Sequence, residues 1–80
     1  MEKFEELLEY ILGQYVNQKD EIKISTVKKG NSTLILKVRV AEGELGKVIG
    51  KNGITANAIR GVLQAAGVKD KLNVNVEFLD

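Results

Sequence analysis

The sequence contains no cysteine, no histidine and no proline. Without cysteine and histidine there can be no disulfide framework, no Cys/His zinc site, no thiol nucleophile and no Ser-His-Asp triad. Without proline there is no Pro-rich linker or polyproline segment. No apolar run approaches the roughly 20 residues that span a bilayer, so no membrane contact is expected. The opening Met1-Glu2-Lys3-Phe4-Glu5-Glu6 is too acidic for a signal or transit peptide. Together these absences point to the cytoplasm, where stability does not rest on disulfides, and they disfavour an enzyme. Neither a cofactor nor a metal is expected.

What is present describes one small globular unit. A chain of 80 residues has room for one hydrophobic core and not for two, so residues 1–80 read as one domain. Its 44% hydrophobic and 29% charged residues are ordinary for a folded chain and exclude a disordered one. The net charge of +1 conceals an uneven distribution. Residues 1–21 hold six acids against two bases, whereas residues 22–71 hold ten bases against Glu42, Glu44 and Asp70. A basic middle in a near-neutral chain suggests a local anion-binding patch; the alternative is scattered, solvated lysines.

Hydrophobic periodicity predicts the elements. Phe4, Leu7, Leu8, Ile11, Leu12, Tyr15 and Val16 form one helical stripe, with Glu2, Glu5 and Glu6 where the helix dipole favours negative charge. Ile22 and Ile24 alternate with Lys23 and Ser25, and Lys29-Gly30-Asn31-Ser32 carries turn chemistry. Leu34, Leu36, Val38 and Val40 then alternate with Ile35, Lys37 and Arg39, so an antiparallel hairpin is expected. A short helix over Glu44 to Ile49, a second from Ile54 to Ala66 and a left-handed Gly67 as its stop follow. A last strand alternates Leu72, Val74, Val76 and Phe78 with polar residues. The order is αββααβ. Each strand has one apolar face, so the fold class is α+β in two layers: a three-stranded mixed sheet, residues 33–40 at its centre, helices on one side.

The passage Gly50-Lys51-Asn52-Gly53, between two helices, is where chemistry concentrates. Glycines there tolerate unusual backbone angles and let a bulky anion approach the main chain. The loop feeds a helix whose first N–H groups are unpaired and partly positive, a ready place for phosphate. Lys47 precedes it by a turn, Lys51 sits inside it, and Arg60 follows two turns later; Asn52 offers an amide or a left-handed backbone. Spacing alone is weak, because Gly43-Glu44-Leu45-Gly46 has it too; that quartet is acidic and apolar and should repel phosphate. A P-loop fails, with leucine at 45 and asparagine at 52, and a dinucleotide fingerprint fails at Val48.

Val48-Ile49-Gly50-Lys51-Asn52-Gly53-Ile54, followed by a helix through Ile59 and Leu63, resembles the signature of a K-homology (KH) domain. The predicted order is similar to the type II arrangement over essentially the whole chain. Gly46 through Gly53 with Ala58-Ile59-Arg60 looks like the small bacterial KhpA (YlqC-like) family. The resemblance implies that Gly50, Lys51, Asn52 and Gly53 hold the phosphates of a single-stranded RNA. It implies further that Val48, Ile49 and Ile54 line an apolar floor, and that Lys47 and Arg60 lie within reach of the strand. Core packing is the competing reading for the three aliphatics. Ala56 stands where many KH domains carry a bulkier aliphatic, which would reshape the groove. The family also implies self-association or pairing with a second KH protein of the KhpB/Jag type, and a role as an RNA chaperone or post-transcriptional regulator.

Two further expectations concern surfaces. Phe4, Tyr15 and Phe78 fall on predicted core faces, so base stacking on an exposed sheet is not expected. The helix from Ile54 has an apolar arc too wide for one-sided burial, through Ile54, Ala56, Ala58, Ile59, Val62 and Leu63. It packs either against both the sheet and the first helix or against another subunit. A protein–protein adaptor therefore stays open beside RNA binding. An enzyme lacks any nucleophile–base pair, since Ser25, Ser32 and Thr55 have no histidine to activate them.

Overall fold

The computed structural model describes residues 2–79. Its elements run α1 (Glu2–Leu12), β1 (Lys23–Lys29), β2 (Thr33–Arg39), α2 (Leu45–Ile49), α3 (Ile54–Val68) and β3 (Asn73–Phe78). Short 3-10 turns lie at Lys19–Glu21 and Lys51–Gly53. The strand order is β1-β2-β3, with β1 antiparallel and β3 parallel to β2. This is the expected two-layer α+β architecture, and β2 is its central strand.

Alternation decides which side of the sheet is covered. Leu34, Leu36 and Val38 of β2 and Val74 and Val76 of β3 are buried beneath the helices. Register carries the same face into β1, where Ile24 lies opposite Val38 and Thr26 opposite Leu36. Phe4, Leu8, Leu12 and Val16 pack down onto it, joined by Val48, Ile59 and Leu63. Each such side chain contributes about 1.5–3 kcal/mol on burial. The opposite face has no helix over it among the described residues and carries Ser25, Lys37, Asn75 and their neighbours.

Two local expectations are corrected. The stripe of α1 does not continue as helix to Val16: the helix ends at Leu12, and both Tyr15 N–H and Val16 N–H turn back to the Leu12 carbonyl at 3.0 and 3.2 Å. Val16 still reaches the core, but Tyr15 rotates out and is 46% exposed. The second correction is Gly67, which is buried inside α3 and is absent from the positive-φ glycines. A Cβ there would lie 2.6 Å from Val74 Cγ2 and 2.7 Å from the Leu72 carbonyl oxygen. Glycine is needed for close helix–strand approach, and the left-handed residue of this turn is Lys71, φ 59°.

Candidate nucleic-acid interface

The loop is built from both sides. Val48, fully buried, anchors α2 in the core, and α2 stops where Gly50 N–H donates to the Gly46 carbonyl at 3.0 Å. Gly50 then takes φ 76°, ψ 172°. A Cβ on it would lie 2.8 Å from Thr55 Cβ and 2.9 Å from Thr55 N, so glycine is required for space as well as for the sign of φ. Asn52 (φ 58°) and Gly53 (φ 76°) are also left-handed, a conformation asparagine tolerates better than most residues. Gly53 N–H closes the turn on the Gly50 carbonyl at 3.2 Å.

The result is an open, cationic bend. The nearest atom to a Cβ at Gly53 would be Asn57 Nδ2, at 3.8 Å, an ordinary contact. Lys51 and Asn52 are exposed. Ile54 N–H returns to the Lys51 carbonyl, and no side chain caps the start of α3, so no side-chain acceptor offsets the positive end of its dipole. No acidic residue occurs between Glu44 and Asp70 in the chain.

The other predicted residues divide by position. Of the expected apolar floor, Val48 belongs wholly to the core and presents no surface; Ile49 is half-buried, and Ile54 stands 67% exposed at the head of α3. Ala56, 1% exposed, points into the core, so its small size does not reshape the surface. Lys47 Nζ pairs with Glu44 Oε2 at 3.3 Å, which balances its charge within the fold. Arg60 is held at the edge of β3: Nε donates to the Val76 carbonyl at 3.2 Å, Nη1 to Asn57 Oδ1 at 3.1 Å, and the guanidinium lies 5.3 Å from the Phe78 ring centroid. Beyond Arg60 along the same α3–β3 seam, a cleft of about 380 Å³ opens between Gln64, Val68, Asn73 and Asn75.

Glu44, the acid of the other glycine quartet, is turned into the fold. It is 4% exposed, and its carboxylate accepts the backbone N–H groups of Asn17 at 2.6 Å and Gln18 at 2.9 Å. The Asn17 N–H, aided by Gln18 and Lys47 against the desolvation of burial, pulls its pKa below the usual 4.5. This carboxylate thus fastens the α1–β1 connection to the start of α2. Thr55, whose side chain fills the space beside Gly50, was missed as a support of the loop; its only signal was proximity to the glycines.

Residues 5–78 match the family described as KhpA/KhpB, KH domain. The chain belongs to that family. Relatives named RNA-binding protein KhpA cover nearly the whole chain. The one from Clostridium acetobutylicum is 45% identical over 74 residues, spanning 92% of this chain and 97% of its own. That from Borreliella burgdorferi is 39% identical over 75 residues, 94% of this chain and 90% of its own. That from Aquifex aeolicus is 35% identical over the full length of both. The KhpA-type KH fold is of the type II order, and family membership makes this a binding domain and not an enzyme. Among the described residues no cluster of acids could hold a metal, and no helix is long and apolar enough to cross a membrane.

Proposed function

We propose that residues 1–80 act as one KH domain that binds single-stranded RNA, gripping phosphates at Gly50–Gly53 and seating bases along the α3–β3 seam. The observation that carries this reading is the bend itself: three positive-φ residues open the main chain at the head of α3, beside the exposed Lys51. The relatives' shared description as RNA-binding proteins supports it. A role as a cytoplasmic bacterial RNA chaperone or post-transcriptional regulator follows from the same reading. Fluorescence anisotropy with a labelled oligoribonucleotide of six nucleotides, short enough to occupy the loop alone, tests it. Lys51→Asp with Asn52→Asp should abolish binding and leave Tm unchanged, since both side chains are exposed and aspartate also tolerates the left-handed backbone of position 52. The salt dependence should have a slope of about −0.7 per neutralised phosphate. Binding that survives the double substitution sinks the reading.

One observation favours a second role. The wide arc of α3 splits into a buried half (Ala56, Ile59, Leu63) and an exposed half led by Ile54 (67%), Val62 (47%) and Val68 (71%). Ala58, Gly61 and Ala65 lie exposed between them, and Gly61 has open space around it. Such a flat apolar strip suits a second copy or a KhpB/Jag-type KH partner, and two grooves in one assembly raise avidity. Val62→Asp should convert the assembly to monomer in light scattering, while Leu63→Asp, placed in the core, should unfold the chain.

A further inference from the structure

The uncovered face of the sheet is a feature the loop does not explain. Side chains on it come from alternate positions of all three strands, and register fixes their neighbours. Lys23 lies opposite Arg39, Ser25 opposite Lys37, and Lys29 opposite Thr33. On the other flank Lys37 lies opposite Glu77. Four cations therefore share one face with a single acid of the sheet. Lys23 and Arg39 stand in direct register, and Lys23 Nζ also donates to the Asp20 carbonyl at 3.4 Å. Between the charged ends Val27 and Ile35 pair across the strands and form a small apolar centre.

We infer that this open face is a second seat for RNA, contacting the sugar–phosphate backbone without reading sequence; it rests on the RNA-binding reading above. Charge sign selects a polyanion. The shape of the patch selects an extended one: Lys29 and the Lys23–Arg39 pair stand six residues apart along β1, about 20 Å at roughly 3.3 Å per residue. The face carries no aromatic side chain, because the sheet's only ring, Phe78, lies in register with Val38 on the helix side. Bases have nothing to stack on, so the contact is with phosphates. The helices lie on the opposite face, so one short oligonucleotide cannot fill the loop and this patch together. A longer strand wrapping the sheet edge can, and the two contacts then reinforce each other.

The test compares labelled oligouridylates of 6 and 30 nucleotides on the full chain, with Lys29→Glu/Lys37→Glu, a neutral Lys29→Gln/Lys37→Gln control, and the loop variant. The sheet variants should keep the wild-type affinity for the 6-mer. On the 30-mer they should lose roughly tenfold, with the salt slope reduced by about 1.4 for two lost phosphates. Unchanged 30-mer binding by the folded sheet variants overturns the inference. Wild-type protein that binds neither oligonucleotide removes the loop reading and this one together. Loss of 30-mer binding in the sheet variants alone, with the loop variant unaffected, would keep the open face and remove the loop. Binding of phosphatidylglycerol vesicles that depends on Lys29 and Lys37, without any change on the 30-mer, assigns the face to a membrane and also overturns the inference.

Discussion

Gly43–Gly46 and Gly50–Gly53 have identical glycine spacing, sit on either end of α2 and are joined by the Gly50 N–H bond to the Gly46 carbonyl. They do opposite work. In the first, the second residue is a carboxylate turned inward, satisfied by two amides of the α1–β1 connection and by Lys47. In the second, the Gly50 and Gly53 amides close on the Gly46 and Gly50 carbonyls, the glycines leave the bend uncovered, and the second residue is an exposed lysine. One quartet places a buried carboxylate that holds the fold together; the other leaves an exposed lysine on an uncovered bend. The spacing of glycines is common to both, so the distinction lies in what the intervening side chains bond.

The comparison can be broken by substitution. The largest effect is expected from Gly50→Ala, which meets both a positive φ and overlap with Thr55; a loss of about 3 kcal/mol in urea denaturation is expected, with RNA binding lost as well. Equal stability of that variant would mean that the loop backbone is not held as described. Glu44→Gln should give the next largest loss at neutral pH, because one amide oxygen cannot replace a carboxylate that serves two N–H donors and a lysine. Its pH dependence has a definite sign. A folded-state pKa below 4.5 means that the ionised carboxylate stabilises the fold at and above that range, and that this stabilisation disappears as pH falls through the lower folded value. The gap in Tm between wild type and Glu44→Gln should therefore be full at pH 7 and close at the acid end; a gap that persists there argues for packing and not charge. Gly46→Ala should show the smallest effect. Gly46 sits in α2 at a helical φ with open space around it, so alanine should be neutral or stabilising by up to about 1 kcal/mol. A large loss there would erase the difference between the quartets.

Strong periodicity made most of the fold legible. The strands at 33–39 and 73–78 alternate cleanly, and α3 differs from expectation only by extending to Val68. The failures lie at helix ends: a local turn closes α1 at Leu12, and a close approach to β3 decides Gly67. Tyr15 keeps helical spacing, yet the helix has already ended. Gly67 looked like a helix stop because such glycines usually are, and the structure uses its missing side chain to admit Val74. The site was legible as a loop with its cations, less so in its supports. Lys47 is claimed by Glu44 one turn earlier, while Arg60 is held by the edge of β3 and Val48 by the core, two contacts that no linear pattern displays.

Composition and pattern by themselves determined the class, the element order and the position of the glycine bend, because hydrophobic alternation and backbone permissiveness are local properties. Only the tertiary structure decided which glycine quartet stays open, which half of the α3 arc faces water, and that four cations meet on one bare sheet face. Those outcomes depend on which distant groups bond or pack together, and pairing across the fold is where the same local pattern acquires different roles.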